Sequence, residues 1–277
     1  MRGLKGVAAL LGVATAVTSL AACETRSLQT IVLPPLLEGL VAHWNCDESD
    51  GDILHDTSGK KHDGILTGGT FTAGRFGNAL SLQRGQYVTV SDFPSATPSW
   101  SVSAWTKIPG GAAGDVCLMS TELAGVGGWA VRLNIAAQTC TFRFRVGSDN
   151  GVDIYTSHGG LGLAAADRFI HVVAVVDGQA MTMTLYVDGA VRDSAIPIPK
   201  TISPGHSDLL IGGSGLPNED YAGLIDDIAI YSRALSAAEV AILGSEAAPD
   251  FTVTAPITSP PESIDAGGSP DAAEITD

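Results

Sequence analysis

Basic residues are scarce in this chain of 277 residues. Fifteen Lys and Arg stand against 30 Asp and Glu, a formal net charge of −15. Such a surface repels phosphate, so nucleic acid and anionic lipid are poor partners. The sequence also lacks H-E-x-x-H, G-x-S-x-G and C-x-x-C, which removes the usual signatures of zinc hydrolases, serine hydrolases and dithiol redox proteins. No long amphipathic helical pattern occurs, and the one apolar run near the start is too short and too small in residue size for a comfortable membrane span. Glycine is plentiful, with 33 residues beside 14 prolines. That balance suits many short strands joined by turns.

The first segment carries Arg2 and Lys5, then apolar and small residues, and ends at Leu20-Ala21-Ala22-Cys23. This order reads as a secretory signal over residues 1–22, and its last four positions resemble a bacterial lipobox. Cys23 would then be the lipidated first residue, anchoring the protein in the cell envelope without a spanning helix. Glu24 is not the aspartate associated with inner-membrane retention, so the outer membrane is favoured over the inner. Residues 23–37, with Pro34-Pro35, read as a tether. Residues 246–277, rich in Ala, Pro, Asp, Ser, Gly and Thr, read as a disordered acidic tail.

An envelope location is oxidising, so the remaining cysteines matter. Cys117 and Cys140 flank one strand-rich segment and are the expected disulfide, provided that their Cα atoms approach within about 7 Å. Cys46 lies in an apolar strand and reads as a small buried hydrophobe.

Between tether and tail, apolar alternation recurs over 40–45, 79–82, 87–90, 101–107, 117–120, 129–134, 141–146, 170–177, 181–187, 209–211 and 225–231. Strands at this density with no intervening helices predict an all-β fold, an antiparallel two-sheet sandwich. Asp177-Gly178 and Asp188-Gly189 are expected hairpin turns. Ser236 and Glu239 have capping-box spacing ahead of Val240, Ile242 and Leu243, which predicts one short C-terminal helix.

Several motifs together resemble a family. Leu40-Val41-Ala42-His43-Trp44 is followed by Asp47-Glu48, then Asp56-Thr57-Ser58-Gly59, His62-Asp63-Gly64, Gly77-Asn78-Ala79-Leu80 and Tyr87-Val88-Thr89-Val90. Ser103-Ala104-Trp105, Leu185-Tyr186-Val187-Asp188-Gly189 and Gly223-Leu224-Ile225-Asp226-Asp227-Ile228, leading into Tyr231 to Ser236, come later. In this order they resemble a laminin-G-like, concanavalin-A-like lectin jelly roll over residues 38–245. Cys46 stands where an aromatic is usual, and Phe169 replaces a tryptophan. The resemblance implies a structural Ca2+.

Strand alternation places Asp226 on one side with Leu224, Ile228 and Ile230, aiming a carboxylate at an apolar layer. A buried charge there needs a cation or hydrogen bonds. Asp47, Asp56, Asp226 and Asp227 are therefore the candidate calcium ligands, since calcium takes six to eight oxygens. The competing reading is that Asp226 only accepts backbone hydrogen bonds from the Asp56 loop.

Pairing the strands around 129–134 and 141–146 puts Arg132, Arg143 and Arg145 on one face, a basic patch suited to an acidic glycan or a solvated face balanced by aspartates. Asp149, Asn150, Asp153, Tyr155 and His158 in one loop, and Asn218, Glu219, Asp220 and Tyr221 in another, mix aromatic and polar groups as sugar sites do. His171 reads as a structural histidine. Hydrolases of this jelly roll commonly carry E-x-D-x-x-E. Glu48-Ser49-Asp50 begins that pattern, but Ile53 breaks it.

The expected protein is a lipid-anchored, non-enzymatic envelope module recognising an extracellular glycan or protein. A purely structural role, packing on another envelope protein, and a polysaccharide-degrading enzyme of unrecognised type are the alternatives.

Overall fold

A computed structural model describes residues 36–109, 114–122, 128–136, 139–146, 167–198, 207–214 and 220–251. Fifteen strands and one helix form a two-sheet antiparallel sandwich, a jelly roll. The strands are β1 (Leu40–Trp44), β2 (Ile53–Leu54), β3 (Gly64–Thr67), β4 (Thr70–Ala73), β5 (Asn78–Leu82), β6 (Tyr87–Val90), β7 (Trp100–Lys107) and β8 (Gly114–Ser120). They continue with β9 (Trp129–Ala136), β10 (Thr139–Val146), β11 (Phe169–Asp177), β12 (Thr182–Val187), β13 (Ala190–Pro197), β14 (Leu209–Ile211) and β15 (Gly223–Tyr231), followed by α1 (Ala237–Leu243).

One sheet has the order β13-β12-β11-β7-β15-β5-β4, with β1 also paired to β15. The other runs β10-β9-β8-β14-β6-β3-β2. Between them lies the main core, including Trp44, Leu80, Val88, Leu118, Leu133 and Ile228. A second apolar cluster covers the outer face of the eight-stranded sheet. There Val173, Ala229 and Tyr231 meet Leu235, Val240 and Leu243 of the α1 segment, together with Leu36. Burying a side chain such as Leu243 contributes about 1.5–3 kcal/mol. Packing thus begins at Leu36, within the segment expected as tether, and reaches Phe251, whose ring lies 3.8 Å from that of His43. The signal segment with Cys23, and residues beyond 251, lie outside the described residues.

Helix α1 forms where the capping box predicts it. Ser236 accepts from the Glu239 N–H, and the Glu239 side chain accepts from the Ser236 N–H. Glu239 is also held by both terminal nitrogens of Arg233. Burial alone would raise the Glu239 carboxyl, but the Arg233 and Ser236 bonds outweigh it and hold the group below its ordinary value.

The Asp188-Gly189 turn has positive φ at both residues, 51° and 70°, and joins β12 to β13 as a type I′ geometry requires. Asp177-Gly178 behaves differently. Its loop spans Gly178 to Met181, and Asp177 caps it by accepting the N–H groups of Gln179 and Ala180. Gly178 is required by proximity, since an added Cβ would stand 2.4 Å from the Pro98 carbonyl oxygen.

The expected disulfide does not form: Cys46 and Cys117 are both thiols. Cys117 pairs with Arg132 on one side of β9, and Cys140 pairs with Ile135 on the other. Two strand spacings of about 4.8 Å and three residues of offset along β9 separate them, well beyond bridging reach.

Candidate functional site

The opening and closing strands meet through β1 and β15, with Trp44 in register with Ile228 and His43 with Ala229. Asp226 and Asp227 interrupt β15 as a bulge, marked by a register shift against β7 and by φ = 46° at Asp227. The alternation read from sequence therefore fails at this point. Asp226 is in register with Trp105, whose indole N–H donates to Leu243 O of α1 at 3.3 Å, so it faces the helix-covered side. Ile228 and Ile230 face the core.

The turn Gly74 to Asn78 collects the carboxylates. Asp226 Oδ2 accepts the N–H groups of Arg75 at 2.7 Å and Phe76 at 3.0 Å. Asp47 Oδ1 accepts the Asn78 N–H at 2.8 Å, and Asn78 Nδ2 donates to Glu48 O at 3.1 Å. Gly74 is obligatory here, because a Cβ would lie 2.4 Å from Asn78 O and 2.6 Å from Asp226 Oδ2. The hydrogen bonds to Asp226 thus come from this turn, not from the Asp56 loop.

Asp226 is fully buried, and burial pushes its carboxyl up from 3.8 to about 7 despite the backbone bonds. Its Oδ1 has no hydrogen-bond partner, and neither does the buried Glu48 Oε2. Between these acids lies Cys46, whose thiol is pushed well up by burial first, then by the charges of Asp226 and Glu48.

The other two candidate metal ligands are committed elsewhere. Asp56 accepts the N–H groups of His43, Ser58 and His62, organising its loop. Burial would raise its carboxyl, but those bonds hold it below the ordinary value. Asp227 Oδ1 meets His43 Nε2 at 2.8 Å, while His43 Nδ1 lies 2.6 Å from Thr57 Oγ1. Among the described residues, no three His, Cys, Asp or Glu side chains lie close enough to hold a metal ion. The four aspartates therefore do not form one cage.

The basic patch also changes character. Arg132 and Arg143 are directly opposed in the backbone register of β9 and β10, and Arg145 opposes Ala130. Arg132, however, is 5 % exposed and bonded to the equally buried Glu122 at 2.7 Å. It is a structural ion pair, not a ligand contact. The side chains of Arg143 and Arg145 lie outside the described residues, as do Asp149, Asn150, Tyr155 and Asn218.

Asp220 is half-buried. Tyr221 is fully buried in the main core, which removes it from any ligand surface. Its hydroxyl binds Thr106 Oγ1, Leu224 O at 3.0 Å and Lys107 O at 3.3 Å, clamping β7 to the start of β15. His171 is likewise structural. Its Nε2 lies 2.8 Å from Ser103 Oγ, and burial holds its pKa down at about 4.

Sequence reasoning missed a cleft of about 320 Å³ beside this clamp, lined by Gln83, Arg84, Lys107, Asp167 and Leu224 among others. Nothing in the linear order joins those positions. Only the strand register does.

A sandwich of this topology is a lectin-like jelly roll. The chain belongs to the concanavalin A-like lectin/glucanases superfamily, whose model matches residues 82–241. No curated protein sequence matches it. Among solved structures, it is similar to domain 4 of AbnA, an extracellular arabinanase from Geobacillus stearothermophilus in complex with arabinotriose. The identity is 20 %, the TM-score 0.58, and the match covers 74 % of this chain and 98 % of that domain. The binding domain of Paraclostridial Mosquitocidal Protein 1 matches at 21 % identity and TM-score 0.57, covering 74 % of this chain and 52 % of that one. The botulinum neurotoxin serotype D ligand-binding domain, in complex with N-acetylneuraminic acid, matches at 17 % identity and TM-score 0.58, with 75 % and 51 % covered. The chain spans about half the length of these two toxin domains.

Proposed function

We propose that this protein is a non-catalytic glycan-binding module, held at the cell envelope through lipid on Cys23. The observation that carries the reading is the fold match to domain 4 of the arabinanase AbnA, solved in complex with arabinotriose, over 98 % of that domain and 74 % of this chain. The use of the corner carboxylates supports it. Asp47, Asp56, Asp226 and Asp227 each serve backbone or His43 hydrogen bonds. Paired glycosidase carboxylates instead flank an open substrate bond.

We propose a structural calcium at this corner, with a revised ligand set. Asp226 Oδ1 and Glu48 Oε2 are buried acceptors with no donor. Calcium takes six to eight oxygens, so backbone carbonyls and water would have to supply the rest. The ion would keep Asp226 ionised and tie the closing strand to the opening loop. Asp56 and Asp227 have no part in it.

A glycan array with and without chelator tests the reading. Binding that calcium strengthens supports it, silence across the array favours packing on another envelope protein, and oligosaccharide release from a polymer favours an enzyme. Cys23→Ser should move the protein from the membrane to the soluble fraction.

A further inference from the structure

We propose that a small pocket at one end of the sandwich, walled by the segment between β6 and β7, is a subsite for the acetamido group of an N-acetylated amino sugar. The proposal rests on the glycan-binding reading and deepens it by naming the substituent recognised.

Trp100 opens β7 in one sheet and Trp129 opens β9 in the other, and their rings lie 4.8 Å apart. With Val41, Phe93 and Ile230 they line a pocket of about 70 Å³. That is room for about two water-sized groups, whereas a site that encloses a whole ligand starts at about 300 Å³. A methyl with its carbonyl fits, and a sugar ring does not. No charged residue lines the pocket, so an ionic group would lose its water there without gaining a partner.

The rim selects among neutral substituents. Three hydroxyls line it, those of Ser95, Thr97 and Ser232, and each has one proton and two lone pairs. Ser232 Oγ donates its proton to Gly39 O at 3.2 Å, and Thr97 Oγ1 donates to Ser99 O and Ser232 O. Both oxygens are thereby left as acceptors, which suits a ligand N–H. Ser95 is exposed, and its hydroxyl can donate to a ligand carbonyl. An apolar floor, acceptors and a donor together match the methyl, N–H and C=O of an acetamide. A sugar hydroxyl lacks the methyl, and an ester lacks the N–H.

The pocket is also pre-shaped. Phe93 is buried, and its N–H donates to Ser207 O at 2.6 Å, which holds one end of the wall. At the other end Thr97 ties the wall to Ser232, just beyond β15, at 3.2 Å. Pro94 and Pro98 fix φ between and beside these anchors. A wall fastened at both ends reduces the ordering cost of binding.

Calorimetric titration of the full chain with N,N′-diacetylchitobiose, N-acetyllactosamine and N-acetylgalactosamine, beside their hydroxyl counterparts cellobiose, lactose and galactose, tests the site. At least one acetamido sugar should bind, and its counterpart about tenfold or more weakly, the worth of a methyl seated in an apolar pocket. Binding should also shift the tryptophan emission, since Trp100 and Trp129 line the pocket. Ala96→Leu, which fills the pocket from its rim, should cost about tenfold, and Ser95→Ala about two- to tenfold. Unchanged melting temperatures would show that these variants fold, and the exposed Ser95→Ala carries the test if Ala96→Leu does not. Equal binding of an acetamido sugar and its counterpart, an unaltered affinity in the folded variants, or no heat from acetamido sugars while other glycans bind on the array overturns the subsite and leaves glycan binding intact. Silence across the full array as well would remove both.

Discussion

The Asp226 carboxylate accepts the Arg75 backbone N–H at 2.7 Å, across 151 positions of sequence. This bond fastens the closing strand to the turn that also holds Asp47 and the Glu48 backbone. It leaves Asp226 Oδ1 buried and unbonded, and the carboxyl raised to about 7.

Asp226 therefore gives metal-free stability a pH dependence of defined sign. The folded state holds a proton that the unfolded chain releases near 3.8, so this contribution is complete below that pH and is lost as pH rises through about 7. The loss is at most about 4 kcal/mol. In chelator, the melting temperature should fall from pH 5 to pH 8, and calcium should restore it more at pH 8. Asp226→Asn should abolish both effects while keeping an acceptor for Arg75 and Phe76. A calcium response preserved in Asp226→Asn would contradict the assignment.

His171 acts in the opposite direction. Its folded pKa, held down at about 4 by burial, lies below the ordinary 6.5. Unfolded chains bind the proton first, so stability falls as pH drops from about 6.5 to 4, by at most roughly 3 kcal/mol. This slope should emerge clearly in Asp226→Asn, followed by chemical denaturation between pH 4 and 7. Ser103→Ala should cost about 1–3 kcal/mol at neutral pH by stranding the buried Nε2.

Much of this was legible in sequence, and the exceptions have physical causes. The long buried strands β7, β11 and β15 showed themselves because burial enforces a pattern, and α1 because Ser236 and Glu239 satisfy each other locally. Strand β2 has only two residues, β3 buries Gly64 while exposing Ile65, and β4 buries none of its residues, so none shows an apolar alternation. The exposed β13 offers little alternation. The bulge at Asp227 was invisible because an aspartate tolerates positive φ without announcing it. That one-residue slip reversed the expected side of Ile228 and Ile230 relative to Asp226. Arg132 looked like a surface cation because strand alternation cannot say what covers the second face of a sheet.

The buried Arg132–Glu122 pair gives a direct check on that last correction. Glu122→Gln or Arg132→Met should destabilise the fold by about 3–5 kcal/mol, because each removes one partner of a buried ion pair. Replacing both together with apolar residues should recover much of the loss. Urea midpoints of the two single variants and the double variant measure this coupling.

The helix cap should behave more mildly. Ser236→Ala removes one N-cap bond and should cost about 1 kcal/mol. Glu239→Ala should cost more, since it also releases Arg233 and the Ser236 N–H. Thermal melts of both variants, ranked against the parent, test the order.

Whether the molecule binds sugar without cutting it is decided by calorimetry paired with product analysis on one sample. The calcium-loaded protein is titrated with a panel of neutral and acidic oligosaccharides, arabinotriose included, and the mixtures are then incubated and chromatographed. Saturable heat with at least one oligosaccharide, recovered at its starting length, is the predicted result. Shortened products, or no heat from any member of the panel, would contradict it.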